Sequence, residues 1–191
     1  MDDETKSFVI GMLLGDANIN KRGNNYRLFI KHGGNQIFYS KWKKNLLSAI
    51  TGMNVNIFKQ KVKGKEYIFG QFVTLTHPEF DSLYHLFYRS NKKIVPVEIV
   101  DLLNEKVLST WIMDDGAKAS KGMTIQTHSF SEEEVERLID AIKSKFNLLF
   151  TKRVNKSHYI IYIPKVQVKS TWNLVKNYIL PEFRYKFPLT P

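Results

Sequence analysis

An apolar run that ends small residue, Asp, small residue occurs twice in this chain, and the repetition limits what the sequence can fold into. The first copy runs Phe8-Val9-Ile10-Gly11-Met12-Leu13-Leu14-Gly15-Asp16-Ala17, the second Val107-Leu108-Ser109-Thr110-Trp111-Ile112-Met113-Asp114-Asp115-Gly116. Asp16 and Asp115 are 99 residues apart in a chain of 191. The pattern after each aspartate also repeats. After Asp16 the periodicity predicts a strand over 26–32, a helix over 36–50, strands over 55–63 and 67–76 and a helix over 79–88. After Asp115 it predicts a strand over 123–129, a helix over 131–146, strands over 149–154 and 159–163 and a helix over 166–179. Ser131 followed by Glu134 is a capping box for the helix that begins there. Each half closes on a lysine near a proline, Lys93 before Pro96 and Lys186 before Pro188. Two αββαββα units follow, 1–98 and 99–191, in an α+β architecture.

Charge follows the same division. The formal charge is +11, and between Ala17 and Lys65 there are eleven basic residues and no acidic one. From Lys152 to Lys186 eight basic residues face Glu182 alone. In the strands the charges alternate with apolar residues: Arg27 and Lys31 flank Leu28 and Ile30, and Lys59, Lys61 and Lys63 share one face. One face of each sheet is expected to pack on helices and the other to meet a polyanion. A basic surface with no partner is the plainer alternative.

Composition closes off several classes. Hydrophobic residues make up 43% of the chain, enough for a packed core. With no cysteine there is no disulfide framework, thiolate nucleophile or Cys-containing zinc site. The acidic start, Met1-Asp2-Asp3-Glu4, is unlike a secretory signal, and the apolar stretch after it is far short of a membrane span. A soluble, intracellular protein with no membrane partner is expected. The five histidines, His32, His77, His85, His128 and His158, show no His-Asn-His or zinc spacing and are expected to be structural or to face the polyanion. Glu4-Thr5-Lys6 has a Glu-x-Lys form but no room upstream for the aspartate such nucleases need.

Each apolar run on its own reads as a buried helix, with Gly11 and Gly15 spaced to let another backbone approach. The aspartates at the helix ends are harder to explain. A carboxylate at a helix C-terminus is disfavoured by about 0.3–1 kcal/mol, and two such ends side by side repel. Carboxylate and carbonyl oxygens with no His or Cys partner select a hard divalent cation, Mg²⁺ first.

With these residues in view, the chain resembles the LAGLIDADG homing endonucleases, in their single-chain, two-repeat form and closest to the yeast mitochondrial intron-encoded type. The resemblance rests on Ile10 to Ala17, Trp111 to Gly116, Asn91-Lys92-Lys93-Ile94-Val95-Pro96 and Tyr185-Lys186-Phe187-Pro188. It implies two pseudo-twofold-related repeats, with motif helices packed in parallel at the interface and each curved antiparallel sheet forming part of a DNA-binding saddle. Asp16 and Asp115 would hold metal at the scissile phosphates, with the carbonyls of Gly15 and Asp114 as further ligands, and Lys93 and Lys186 would be the active-site cations. The implied activity is Mg²⁺-dependent double-strand cleavage of a long asymmetric DNA target, leaving short 3′ overhangs. Mn²⁺ would substitute, and Ca²⁺ would support binding without cleavage. A monomer is expected, with double-stranded DNA as partner. Arg22, Lys31, Lys59, Lys61 and Lys63 would contact the duplex, and Arg27, Gln71, Gln126, His128 and Arg153 would read bases. A maturase that helps a host intron RNA to fold, without cutting, is the alternative on the same fold. Thr110 and Asp114 stand where the first motif has Gly11 and Gly15, so the two half-sites are expected to be unequal.

Overall fold

The computed structural model describes residues 1–188; the last three positions of the second repeat, 189–191, lie outside the described residues. Helices and antiparallel strands form two compact units. One collects Asp16–Leu86 with Met1, and the other joins Asp2–Gly15 to the chain from Phe87 onward. The motif helix of the first repeat therefore belongs to the same unit as that of the second.

In the first unit a four-stranded antiparallel sheet has the order β1-β2-β4-β3, with β1 Asn18–Arg22, β2 Asn25–Gly33, β3 Asn56–Val62 and β4 Lys65–Val73. Alternation along β2 sends Leu28 and Ile30 inward with Ile19 and Phe72, all buried. Helices α2 (Ile37–Leu46) and α3 (Pro78–Phe87) complete the unit. The Ser40 hydroxyl donates to the Gly70 carbonyl at 2.9 Å, and Asp81 on α3 accepts from the Tyr26 amide at 3.1 Å.

The second unit has a sheet of order β7-β8-β10-β9, with β7 Gly116–Ala119, β8 Gly122–Gln126, β9 Thr151–Asn155 and β10 His158–Pro164. Met123, Ile125, Ile161 and Ile163 are buried, as are Val135, Leu138 and Ile142 of α6 (Glu132–Phe146). The capping box at Ser131 forms as its sequence indicates, and Asn147 ends the helix in the left-handed conformation at φ 54°. Helix α7 (Lys165–Val175) packs on β8 and β10. Of the strands that the hydrophobic pattern does not mark, β1 (Asn-Ile-Asn-Lys-Arg) and β7 (Gly-Ala-Lys-Ala) are short edge strands held by their ladders. The helix expected over 36–50 is a 3-10 turn, α2 over Ile37–Leu46 and a second 3-10 turn over Ser48–Ile50.

The same unit holds the short helix α4 (Ile99–Leu102) and the two motif helices, α1 (Asp3–Leu14) and α5 (Glu105–Asp115), side by side and parallel. Their N-terminal ends are tied by Glu4 to Lys106 at 3.2 Å and by the Asn104 amide donating to the Ser7 hydroxyl at 2.8 Å. Halfway along, a Cβ on Gly11 would lie 2.6 Å from the Val107 carbonyl oxygen and 2.7 Å from the Thr110 Cβ. At the C-terminal ends, a Cβ on Gly15 would lie 2.5 Å from the Asp114 Cβ. The bulkier second motif fits because glycine stands opposite each of its larger residues. Among the described residues no helix is long and apolar enough to cross a membrane.

Because the atom facing Gly11 is backbone, Gly11→Val is expected to cost about 1–3 kcal/mol or more through overpacking. Gly52→Ala, whose added Cβ would meet its nearest neighbour at 3.6 Å, should be nearly neutral; urea midpoints of the two variants test the difference.

Candidate metal and nucleic-acid site

The parallel helices end together, and each end meets a lysine. Gly15 caps α1, its amide donating to the Gly11 carbonyl, and the Lys93 ammonium donates to the Gly15 carbonyl at 3.0 Å. Lys93 is delivered by a tight hairpin, β5 (Tyr88–Arg89) paired with β6 (Lys92–Lys93). Ser90 and Asn91 at its tip both have positive φ, 50° and 61°, as a type I′ turn demands. The following segment is clamped at Val95, whose amide donates to Glu134 at 2.9 Å and whose carbonyl accepts from Arg137 at 2.7 Å. Lys93, rather than its neighbour Lys92, thus reaches the helix end.

Lys186 arrives on a 3-10 turn over Pro181–Lys186. Only 4% exposed, its ammonium donates to the carbonyls of Ile112, Met113 and Asp114 at 3.3, 2.5 and 3.2 Å. The Ile112 carbonyl also accepts from the Gly116 amide, whereas those of Met113 and Asp114 lie in the last turn of α5, at its negative pole. Asp114 and Asp115 are half-buried beside this cap. Thus Gly15, Asp114, Asp115, Lys93 and Lys186 are gathered in one unit. The Gly15 and Asp114 carbonyls already accept from cations, so an oxygen donor set fits a hard divalent ion.

In the other unit Asp16 is exposed, with its side chain 42% accessible, and His32 Nδ1 lies 3.5 Å from Asp16 Oδ2. The expectation of carboxylates without a histidine neighbour is therefore corrected at Asp16. His32 sits on the helix-facing side of β2, 3% exposed, its ring 4.9 Å from that of Tyr39. The signal that could have found it is periodicity. Alternation along β2 puts His32 on the same face as Leu28 and Ile30.

Strand register sorts the candidate nucleic-acid contacts by face. Arg22, Arg27, Lys31 and Gln71 share the face of the first sheet turned away from its buried residues. There Lys31 donates to Gln60 at 2.6 Å and lies 4.1 Å from the centre of the Phe69 ring. Lys59 and Lys61 lie on the opposite face, level with Ile68 and Glu66, and Lys59 pairs with Glu66 at 2.9 Å. Lys63 is in the hairpin turn at φ 49°. A period of two places Lys59 and Lys61 together but cannot say which face of the sheet is theirs. In the second sheet Gln126, Ile160 and Arg153 form one row across the strands. The Arg153 guanidinium lies 3.2 Å above the Tyr162 ring, and the His128 and His158 rings meet at 5.1 Å. Lys152 points the other way, donating to Glu132 and Glu136 of α6. These bonds hold the Glu132 carboxyl below its ordinary range and push Lys152 up.

Comparison with known proteins bears on this arrangement. A sequence model described as the LAGLIDADG DNA endonuclease family matches residues 6–170. A protein of Wickerhamomyces canadensis named "Probable intron-encoded endonuclease 1" is 32% identical over 187 residues, covering 93% of this chain and 81% of its own. A cytochrome b mRNA maturase bI2 of Debaryomyces hansenii is 30% identical, covering 97% of this chain and 74% of its own. The solved structure of the homing endonuclease I-WcaI bound to its DNA recognition sequence superposes with a TM-score of 0.93 at 30% identity, covering all of this chain and 88% of the other.

Replacing Lys186 with Met takes the ammonium donor from the carbonyls of Met113 and Asp114, while Ile112 keeps the Gly116 amide. The expected loss is about 2 kcal/mol or more of stability, read as a lowered unfolding midpoint, whereas Lys92→Met should leave the midpoint unchanged.

Proposed function

The chain belongs to the LAGLIDADG DNA endonuclease family, and on that premise we propose that it is a site-specific double-strand DNA endonuclease of the homing type. In this reading it acts as a monomer, hydrolysing one phosphodiester per strand of a long asymmetric target and leaving short 3′ overhangs. The observation that carries the reading is the paired helix end: two parallel motif helices whose terminal carbonyls each meet a lysine, with Asp16 and Asp115 at the two ends. A pure binding protein has no use for two carboxylates beside a polyanion, since each repels phosphate.

Asp16 and Asp115, with the Gly15 and Asp114 carbonyls, are the residues that would hold Mg²⁺. The chemistry such an ion would supply there is neutralisation of phosphate charge and activation of water for attack. The protein's own part is to orient the two carboxylates and to hold two ammonium groups where charge develops on the phosphoryl oxygens. The repeats 1–98 and 99–191 supply one such set each. Arg22, Arg27, Lys31 and Gln71 on one sheet, with Gln126, His128 and Arg153 on the other, contact the duplex. Lys59, Lys61 and Lys63 supply phosphate contacts from the β3–β4 hairpin. Affinity should fall steeply with salt. The compartment proposed is intracellular. The name of the maturase relative favours a second reading, assistance to folding of a host intron RNA on the same basic surface.

Selection of cleavage sites from a duplex library in Mg²⁺ should return one long target cut in both strands. Absence of double-strand breaks at every sequence, with tighter binding to structured intron RNA, would replace the endonuclease by the maturase. Asp16→Asn and Asp115→Asn should each abolish cutting of one strand or both while binding in Ca²⁺ is retained; filter binding and gel analysis read the two effects separately. Arg153→Ala should weaken target binding by about 1–3 kcal/mol. Lys152→Met should change it far less, because its ammonium is held by two carboxylates of α6.

A further inference from the structure

Tyr162 lies on the face of the second sheet turned away from Ile161 and Ile163, where a side chain ordinarily meets solvent, yet it is only 6% exposed. Arg153 lies over it, the guanidinium carbon 3.2 Å from the centre of the ring. At that distance only a guanidinium parallel to the ring fits, because an N–H group turned down onto it would clash. The ring is itself pinned. Its hydroxyl donates at 2.6 Å to the carbonyl of Lys121 in the β7–β8 turn. Gly122, at φ 152°, makes room for that bond, since a Cβ there would lie 3.2 Å from the Tyr162 hydroxyl oxygen.

Arg153 starts on the edge strand β9, level with Ile160, and reaches Tyr162 along the diagonal. Its guanidinium thus lies over an inner strand and not at the rim of the sheet. Thr124 is level with Tyr162 and Gln126 with Ile160, and the Gln126 amide donates to the Thr124 hydroxyl at 3.3 Å. Stacking holds the guanidinium plane and leaves its N–H groups around the edge of the stack. Among the described residues no carboxylate pairs with them, whereas the neighbouring Lys152 is held by Glu132 and Glu136. In the major groove the acceptor pair that matches a planar fork is O6 and N7 of guanine.

We propose that Tyr162 is a positioning residue that holds the Arg153 fork for one guanine of the target, so that a G·C pair is selected at a single place in the half of the site met by the second sheet. Fixing the fork before binding removes the ordering cost that a free arginine side chain meets on capture. In the first sheet Lys31 also stands over a ring, 4.1 Å from the centre of Phe69, but an ammonium is a point charge without a fork. The inference rests on the proposed function only in taking the second sheet as a DNA-binding face.

The test is binding selection from a randomised duplex library in Ca²⁺ with the full chain, urea midpoints showing that each variant is folded. The wild-type consensus should contain a guanine whose preference is lost in Arg153→Leu and falls about tenfold or more in Tyr162→Leu, while Tyr162→Phe, which keeps the ring, retains it. The rest of the consensus should survive in all three. In the selected duplex, 7-deazaguanine at that position, which lacks N7, should weaken wild-type binding about tenfold and Tyr162→Leu binding less than about twofold. In the free wild-type protein the Arg153 side-chain proton resonances, identified by their absence from Arg153→Leu, should carry a ring-current shift. Unshifted resonances overturn the proposal without any change at Tyr162, and so does an unchanged guanine preference in folded Tyr162→Leu. A loss of affinity in Arg153→Leu that is equal for all sequences marks a phosphate contact and overturns it too, as does tighter binding to structured intron RNA with no duplex sequence selected. Cleavage in Mg²⁺ is read separately. A chain that selects this guanine through Tyr162 without cutting overturns the endonuclease reading and keeps the fork; one that cuts with a guanine preference independent of Tyr162 does the reverse.

Discussion

Two helices that run parallel and end side by side place two negative poles in one small volume, and this chain adds carboxylates to both. What makes the arrangement tolerable is ammonium. Lys186, buried, donates to the carbonyls of Ile112, Met113 and Asp114 in the last turn of α5, and Lys93 donates to the carbonyl of the residue that caps α1. Much of the rest of the second unit supports those two contacts. The β5–β6 hairpin, the Glu134 and Arg137 clamp on Val95 and the 3-10 turn before Phe187 all bring a lysine to a helix end. Glu134 does this while also completing the capping box of α6, so one carboxylate fixes a helix start and an active-site segment together.

The two ends are nevertheless unequal. Lys186 is enclosed and makes three contacts, whereas Lys93 is half-buried and makes one of those described. Asp115 is the last residue of its helix; Asp16 lies one residue beyond its cap and has a histidine beside it. The sheets differ as well. The solvent face of the first combines Arg27, Lys31 and Gln71 with Phe58 and Phe69, while that of the second offers Arg153 on Tyr162 among Ile160, Thr124 and Gln126.

Much of this was legible in the sequence, because long apolar runs, a repeated Asp-small ending and lysine-proline segments report on burial and chain reversal directly. The capping box at Ser131 and the glycine spacing in the first motif carried their physical meaning unaided. What was not legible depends on partners far away in the chain. Asn18–Arg22 and Gly116–Ala119 are strands only because β2 and β8 hold them. The strand pattern grouped Lys59 with Lys61 without fixing the face they occupy, and nothing local shows Lys152 turned back to α6. His32 reads as one of five histidines with no shared spacing, and nothing local shows its Nδ1 3.5 Å from Asp16 Oδ2.

The seam between α1 and α5 has a further consequence. Gly11 meets Thr110 and Gly15 meets Asp114, a hole on one helix for each knob on the other. Two copies of α1 packed the same way would face glycine with glycine and leave voids; two copies of α5 would press threonine on threonine and carboxylate on carboxylate. Each motif helix is therefore complementary to the other and not to itself, so a shape rule written in four residues commits the two repeats to one another and closes the route back to a symmetric pair of identical halves.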